Sequence, residues 1–431
     1  MKKKQRLDIM VIGFALFAMF FGAGNMIFPP KLGLETGSRW AVGFASFTFA
    51  DAGLALVTIL AMIRGTGNLS GITQRVGRLP SMLLGVSVFL CVGPLMAVPR
   101  TAASTFELGV APVFHTDARV IFAIVFFAVV FALSVRPSKV IDIIGKFLTP
   151  ALYVALLVMI VRGIVNPVGA VMDTGATGAF ATGITAGYQT MDVFGAIIFT
   201  VLITQTLSER KYEGKDRFKV VVRSGLVAVV GLTIVYGGLA YLGATASSVY
   251  DTSIGQSELL INIMSANMGR AGVVLLGIVV ALACLTTAIG LTSSAASYFS
   301  DLTKNKVSYK LFVAVICVFS AVVSNFGIDT IVSFSSPILT VVYPAVLTLI
   351  ALSFFDHKIK NDWVFKCATA GALVVSLLTV LSQYISGLGF INKLPMSGLG
   401  FGWILPTLVC GLIGFCIPVK KKEHEQAAMT D

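Results

Sequence analysis

Apolar stretches of about 20 residues recur along the whole chain, each long enough to cross roughly 30 Å of hydrocarbon as a helix. Inside a bilayer the backbone must satisfy its own hydrogen bonds, which leaves only helices and closed barrels. Charged residues make up 12% of the 431 residues, against about 25% in soluble domains. The sequence therefore predicts an all-α integral membrane protein.

We predict twelve membrane-spanning helices joined by polar loops. Their approximate ranges are 8–30, 39–63, 80–110, 119–135, 144–162, 187–207, 219–243, 270–299, 310–325, 328–353, 364–385 and 401–418. The third is long enough to be bent, and the loop segment 252–268 is expected to be partly helical. An even number of spans places both termini on one side. Most of the 32 Lys and Arg residues then lie on that side, so both termini are expected in the cytoplasm.

Several functional classes find no support in the sequence. The six cysteines fall within predicted spans and form no C-x-x-C pair, which is typical of small buried side chains. The three histidines are scattered over loops and the tail, and the sequence contains no phosphate-binding loop. We therefore expect neither an enzyme nor an organic cofactor. The cytoplasmic loops account for the net charge of +12, so nucleic-acid binding is not expected.

A Gly-Ala-Gly-Asn sequence at residues 22–25 interrupts the first span near the expected depth of the bilayer midplane. A helix opened in contact with lipid would leave backbone groups unsatisfied, so the break is expected to face a protein-lined cavity. There the free backbone groups and the two half-helix ends can bind a small charged solute and its coupling ion. Close packing of small residues against another helix is the alternative.

A second polar interruption, Gly187 to Gly195, lies in the sixth predicted span. It comes five spans after the first, so the two breaks belong to halves of opposite orientation. Paired breaks in inverted halves indicate a transport site. We therefore predict an inverted repeat of residues 1–162 and 163–356, five spans each. Two additional spans follow at 357–418, then a cytoplasmic tail at 419–431.

These segments resemble the branched-chain amino acid:cation symporter family of the amino acid–polyamine–organocation superfamily. The resemblance is strongest at FFGAGNMIFPP (20–30), GYQTMD (187–192) and LTTAIGLT (285–292). The family implies sodium-driven uptake of leucine, isoleucine and valine across the cell membrane. The superfamily implies the five-plus-five inverted-repeat fold of the bacterial leucine transporter.

The resemblance also implies site residues. Backbone N–H groups of the first break would bind the substrate carboxylate, and the unwound part of span six would face its amine. The substrate-binding residues expected on this basis are Phe20, Gly22, Ala23, Gly24, Asn25, Tyr188, Gln189 and Met191. The sodium ligands expected are the carbonyls of Ala18, Phe21 and Ile289 and the hydroxyls of Thr292 and Ser293. Interhelical hydrogen bonding is the alternative for these hydroxyls.

The chain departs from the pattern of that superfamily at two places. The segment between Asn25 and Pro29 is one residue shorter and lacks an Arg, and span three offers no Tyr for the usual hydroxyl contact to the carboxylate. Span ten contains polar residues and prolines, for which we expect the ordinary packing of a kinked helix. Lining of the outer vestibule is the alternative. These residues are Ser333, Ser335, Ser336, Pro337, Tyr343 and Pro344.

Ionisable residues inside spans are costly and suggest function. Asp192, in the sixth-span break, and Asp51, in span two, are candidates for coupling or gating, and either could carry a proton. An interhelical hydrogen bond is an equal alternative for Asp51. We expect Glu107 to face water near the outer end of span three. We expect Arg100 at the outer mouth, either paired with Glu107 or Asp192 as a gate or snorkelling to the interface.

The side chains near the two breaks suggest which solute would bind. No Lys or Arg is expected at the midplane, so an acidic side chain would find no partner there. Apolar residues such as Phe20, Phe21 and Met191 suit an aliphatic amino acid. One methylene is worth only about 1–3 kcal/mol, so leucine, isoleucine and valine would be poorly separated. The sequence favours sodium-coupled symport of these amino acids by alternating access. A proton-coupled permease for another neutral amino acid or small solute, using Asp192 or Asp51, is the alternative.

Overall fold

A computed structural model describes residues 2–64, 69–135 and 149–418 of the chain. All regular elements among these residues are helical. The start of the fifth predicted span (144–148) and the predicted cytoplasmic tail (419–431) lie outside the described residues.

The first half of the described chain contains ten α-helices. They are α1 (Lys2–Phe20), α2 (Ala23–Thr36), α3 (Trp40–Thr48), α4 (Leu54–Arg64), α5 (Leu69–Thr73), α6 (Arg78–Leu90), α7 (Ala97–Thr105), α8 (Ala111–Phe114), α9 (Arg119–Ser134) and α10 (Thr149–Val165). Three π-helical turns, Phe49–Gly53, Cys91–Leu95 and Phe106–Val110, join α3 to α4, α6 to α7 and α7 to α8. The third predicted span is bent at Gly93, whose backbone is not helical, as expected from its length.

The second half contains eight α-helices. They are α11 (Ala179–Thr190), α12 (Asp192–Glu209), α13 (Gly214–Thr245), α14 (Gln256–Leu302), α15 (Tyr309–Val323), α16 (Ile328–Ser353), α17 (Asp362–Leu381) and α18 (Ile404–Cys416). Helix α14 is kinked at Gly269, where φ is +59°. The part before this kink is the helical segment predicted within 252–268.

The helices have the length and composition of a multi-pass membrane protein. Eight described helical stretches are long and apolar enough to cross a membrane, and α9, α10 and α18 are shorter apolar helices. Aliphatic and aromatic side chains such as Val125, Val318 and Leu412 point outward from these helices and are exposed, as expected for surfaces in contact with lipid. The count of twelve spans and the inverted repeat stay predictions.

Both predicted helix breaks are present. Helix α1 ends at Phe20 and α2 begins at Ala23, with Gly22 between them in an extended conformation. Helix α11 ends at Thr190 and α12 begins at Asp192, because Met191 has the left-handed conformation with φ +67°. Each break therefore divides one hydrophobic segment into two half-helices.

Close contacts between small residues hold the broken segments in place. A Cβ added to Gly33 in α2 would lie 1.9 Å from the carbonyl oxygen of Ala240 in α13. A Cβ added to Gly243 in α13 would lie 1.8 Å from the carbonyl oxygen of Pro30. Only glycine allows two backbones to approach this closely. The crossing fixes the half-helix that begins at the first break against α13.

Candidate substrate and ion site between the two helix breaks

The first break exposes the start of a half-helix to the protein interior. Gly22 donates its backbone N–H to Oδ1 of Asn25 at 3.4 Å. The first N–H groups of α2 have no acceptors within the helix, because no turn precedes them. These groups and the helix dipole give the start of α2 a partial positive charge. The buried break is therefore suited to hold an anion such as a carboxylate.

The Asn25 side chain, in α2, contacts side chains from three other segments of the chain. Its Nδ2 lies 2.6 Å from the hydroxyl of Tyr236, 3.0 Å from Oδ2 of Asp192 and 3.4 Å from Oδ2 of Asp51. All four side chains are buried. An amide nitrogen has two hydrogens, so three acceptors share them. The side chain thus bridges two carboxylates that would otherwise repel each other.

Asp51 receives hydrogen bonds from both breaks. Thr190, the last residue of α11, donates its hydroxyl to Oδ1 of Asp51 at 2.7 Å, and Asn25 approaches Oδ2. Asp51 lies in the π-helical turn Phe49–Gly53, a distortion that often occurs at functional positions. The interhelical hydrogen bonding considered for Asp51 is therefore present. A coupling role for Asp51 or Asp192 stays a prediction.

Arg100 lies at the centre of the protein, so its expected position at the outer mouth was wrong. It is 3% exposed, and its Nη1 and Nη2 donate to the carbonyl oxygens of Gln189 at 2.7 Å and Thr190 at 3.2 Å. These carbonyls form the C-terminal end of α11, whose partial negative charge stabilises a cation. The guanidinium also lies 5.5 Å from the Phe28 ring centroid. The expectation that no Lys or Arg lies near the midplane site was wrong for the same reason.

Glu107 belongs to a different network, so the expected gate between Arg100 and Glu107 is not formed. The Glu107 carboxylate accepts from the Ser257 hydroxyl at 2.9 Å and from the Ile328 backbone N–H at 3.1 Å. It also lies 3.5 Å from Nη1 of Arg119. These partners tie the end of span three to the starts of α14 and α16. Arg119, and not Arg100, is the arginine that pairs with Glu107.

A cavity of about 30 Å³ lies between the two breaks. Its lining residues are Met19, Phe20, Gly22, Ala23, Asn25, Val92, Ala97, Arg100, Thr101, Thr190, Met191, Asp192, Gly195, Phe199, Thr287 and Leu291. Five of the eight predicted substrate residues are in this set. The volume suffices for a few water-sized groups, so the lining must move apart to admit an amino acid.

The other three predicted substrate residues, Gly24, Tyr188 and Gln189, do not line the cavity but lie next to or near lining residues along the chain. A Cβ added to Gly24 would lie 2.8 Å from Nη2 of Arg100. The Tyr188 ring packs on Tyr343 with centroids 4.6 Å apart, and Oε1 of Gln189 accepts from the Ser335 hydroxyl at 3.4 Å. They support the lining residues in this conformation.

Helices α13 and α16 contribute residues that the sequence analysis did not include in the site. Tyr236 contacts Asn25, and the hydroxyl of Tyr343 accepts from the backbone N–H of Val193 at 3.2 Å. Packing was expected for Tyr343 and Ser335, but both also hydrogen-bond to the second break. A buried Tyr within an apolar span was the available signal, since its hydroxyl requires a partner.

The five predicted sodium ligands all lie among the described residues. Their role as ligands stays a prediction. Ala18, Phe21, Ile289 and Thr292 are buried. The Thr292 hydroxyl has no hydrogen-bond partner among the described residues. Helix α14 reaches the cavity through Thr287, whose Oγ1 would lie 3.4 Å from a Cβ added to Gly22. The Thr287 hydroxyl, likewise unpaired within the described chain, was not in the predicted set.

The chain resembles known transport proteins along nearly its whole length. Residues 5–421 match the family model "Branched-chain amino acid transport protein". The chain is 34% identical over 426 residues to the branched-chain amino acid permease BraB of Bacillus subtilis, covering 95% of each chain. It is 36% identical over 423 residues to the branched-chain amino acid transport system 2 carrier protein of Pseudomonas aeruginosa, covering 93% of this chain and 94% of that one. With the permease BrnQ of Escherichia coli K12 it shares 34% identity over 416 residues, 93% of each chain.

Solved transporter structures share the fold. The nucleobase-cation-symport-1 family transporter Mhp1 matches with a TM-score of 0.64 at 14% identity, covering 96% of this chain and 94% of that one. A Na⁺-coupled sialic acid symporter matches with a TM-score of 0.64 at 14% identity, covering 95% and 90%. MhsT in complex with L-phenylalanine matches with a TM-score of 0.57 at 16% identity, covering 94% and 98%.

The family match and the fold agree with the broken helices and the cavity between them. The family consists of transport proteins, and the relatives above are named permeases and a carrier, so the chain is not an enzyme. It belongs to the branched-chain amino acid transport protein family.

Proposed function

We propose that this protein takes up leucine, isoleucine and valine together with Na⁺ by alternating access. The observation that carries the proposal is the meeting of two helix breaks around one buried cavity. Relatives 34–36% identical over nearly the whole chain are named for branched-chain amino acids, which supports the substrate class. We also propose that the protein lies in the cell membrane with both termini in the cytoplasm and that residues 1–162 and 163–356 form an inverted repeat.

The chemistry of the cavity fits a zwitterion with an aliphatic side chain. Arg100, Asp192 and Asn25 provide charged and amide groups. The remaining lining includes a set of apolar side chains. They are Met19, Phe20, Val92, Phe199 and Leu291. Such a surface binds branched aliphatic groups without strong preference, because one methylene changes binding by only about 1–3 kcal/mol.

The charges around the cavity favour coupling to a cation. Asp51 and Asp192 are two buried carboxylates, and Arg100 is the buried cation beside them. If both carboxylates are ionised, the cluster carries one excess negative charge, and a zwitterionic substrate does not change that total. One bound cation would balance it, which lowers the cost of burying the cluster. The Thr287 hydroxyl lines the cavity and has no hydrogen-bond partner among the described residues, so it is an oxygen ligand suited to such an ion. The buried Thr292 hydroxyl is the second oxygen that we propose from α14.

Uptake of labelled leucine into proteoliposomes tests the proposal. At fixed pH, an inward Na⁺ gradient should drive leucine accumulation, and replacement of Na⁺ by choline should abolish it. Unlabelled isoleucine and valine should compete with leucine, whereas glutamate and lysine should not. Accumulation that is unchanged in choline would contradict sodium coupling, and absence of leucine uptake under every gradient would contradict the substrate assignment.

One observation favours a second candidate, a proton-coupled permease for another neutral amino acid or small solute. Asp51 and Asp192 both lie within hydrogen-bond reach of the Asn25 amide, and a carboxyl pair of this kind can hold a proton. The same assay distinguishes the two candidates. A proton-coupled carrier would accumulate its solute under an inward pH gradient in choline buffer, and an added Na⁺ gradient would not increase the uptake.

A further inference from the structure

We propose that Arg100 binds the carboxylate of the transported amino acid and that Asp192 binds its ammonium group. The substrate would then lie across the cavity, with its charged end between span three and the second break. This inference rests on the proposed amino acid transport. It differs from the expectation that backbone N–H groups of the first break bind the carboxylate and that the unwound part of span six faces the amine.

Arg100 has donors left over for a carboxylate. A guanidinium carries five N–H donors, and two of them are used on the carbonyls of Gln189 and Thr190. Nε is buried and has no hydrogen-bond partner among the described residues. Arg100 also lines the cavity. An arginine can bind a carboxylate through two parallel hydrogen bonds, the strongest neutralising contact available to it.

The surroundings of Arg100 attract the same anion. The guanidinium lies beside Gly24, since a Cβ added there would be 2.8 Å from Nη2. Gly24 is in the first turn of α2, where free N–H groups and the helix dipole are positive. Two independent sources of positive charge therefore converge on one side of the cavity. A carboxylate placed there would contact both.

The same hydrogen bonds change the expected site for the amine. The carbonyls of Gln189 and Thr190 would be natural acceptors for an ammonium group, but each accepts from Arg100. Asp192 is the carboxylate that lines the cavity, at the first residue after the break, and it is 6% exposed. Its Oδ2 is oriented by Asn25 at 3.0 Å. A carboxylate forms a charge-assisted hydrogen bond with an ammonium group, which a neutral carbonyl cannot match.

Two near-isosteric analogues of leucine test the two contacts in the wild-type protein. L-leucinamide keeps the ammonium group but replaces the carboxylate with a neutral amide. L-2-hydroxy-4-methylpentanoate keeps the carboxylate but replaces the ammonium group with a hydroxyl. Each should compete with labelled leucine at least about tenfold less well than leucine itself, because a buried charged partner is left unpaired.

Two substitutions then assign each contact to its residue. Arg100→Gln should weaken leucine competition about tenfold or more but change leucinamide competition less than about threefold. Asp192→Asn should weaken leucine similarly and leave 2-hydroxy-4-methylpentanoate nearly unchanged. Arg100→Lys, which keeps the charge, should recover part of the leucine affinity. Arg39→Gln and Asp301→Asn are matched controls at exposed positions away from the cavity and from both polar networks, and they should leave all three ligands unchanged.

The inference would be overturned if either analogue competed as well as leucine in the wild type. It would also be overturned if both variants weakened leucine and both analogues by the same factor. If a variant does not fold, judged by size-exclusion chromatography, the charge-conserving variants Arg100→Lys and Asp192→Glu take its place, and each should affect only the analogue that keeps the group it binds. A wild type that does not transport leucine would refute the proposed function instead, so the two failures are distinguishable.

Discussion

At the scale of single residues, Asn25 has the most consequential position. Its amide lies within 3.4 Å of Asp51, Asp192 and Tyr236, and its carbonyl oxygen accepts from Gly22. The Asn25 amide thus reaches both buried carboxylates of the described site. The sequence singled out Asn25, Asp51 and Asp192 individually. It could not bring them together, because their contact depends on how distant segments pack.

Asn25→Ala should abolish leucine transport and lower the melting temperature of the purified protein. The substitution leaves both carboxylates without the amide donor, at a cost of about 1–3 kcal/mol. A fluorescence-based thermal shift in detergent, together with proteoliposome uptake, measures the two effects. Asn325→Ala is the control, since the Asn325 side chain donates to carbonyls of its own helical segment, and its contact with Arg119 is made by the backbone oxygen, which the substitution keeps. Full transport by Asn25→Ala would show that the bridge is dispensable.

Arg100 shows where residue-scale prediction failed. Its neighbours Pro99 and Thr101 gave no indication of depth, and a charged residue near a helix end usually reaches the interface. Its actual position depends on the bend at Gly93 and on the carbonyls freed by the second break. Neither the direction of the bend nor the nearness of that break is encoded locally.

At the scale of helices, the two breaks could be predicted from the sequence, but the π-helical turn at Asp51 and the crossing of α2 and α13 could not. The Gly-Ala-Gly-Asn sequence identified the first break, because glycine readily leaves helical geometry. The second break was found from its polar residues, although its left-handed residue is Met191 and not a glycine. The π-helical turn that contains Asp51 has no sequence signature of this kind. The close crossing of α2 and α13 was also not foreseen.

That crossing gives a prediction about stability. Gly243→Ala should destabilise the protein by about 1–3 kcal/mol or more, because its methyl group would overlap the backbone at Pro30. The matched control is Gly290→Ala, a helical glycine with no atom within 4 Å of an added Cβ, which should have no effect or be slightly stabilising. Thermal unfolding of both variants measures the difference. Equal melting temperatures would contradict the described packing.

At the scale of the whole molecule, two polar networks lie at opposite ends of the bundle. On the side predicted to be cytoplasmic, Asp8 in α1 forms an ion pair with Arg210 and accepts from the Tyr212 hydroxyl at 2.7 Å. Desolvation, with Asp8 nearby, raises the pKa of Tyr212 to about 12. On the other side, Glu107 in span three contacts Arg119 at the start of α9, Ser257 in the part of α14 before its kink, and Ile328 at the start of α16. Under the proposed alternating access, we expect each network to open in turn.

Substitutions in the two networks should therefore expose the cavity to opposite sides. With Met19→Cys as a reporter in a background without native cysteines, Asp8→Asn should increase labelling by a membrane-impermeant thiol reagent applied from the cytoplasmic side. Glu107→Gln should instead increase labelling from the outside. The two variants serve as controls for each other. The same side dependence for both would contradict a two-gate arrangement.

Across the whole molecule, composition and periodicity were sufficient to predict a helical membrane protein, and resemblance predicted its family. The cavity between the breaks also lies where paired interruptions placed it. The Na⁺ ligands stay a prediction, and Thr287 rather than the predicted Thr292 lines the cavity in this conformation. Hydroxyls spaced along one helix do not reveal which of them another helix will approach.

The most direct test of the account is an experimental structure with leucine and Na⁺ bound. We predict density for leucine between the first break, Gly22–Asn25, and the second break, Thr190–Asp192, with its carboxylate at Arg100 and its amine at Asp192. Leucine bound elsewhere in the protein, with both breaks remote from the ligand, would contradict the central claim.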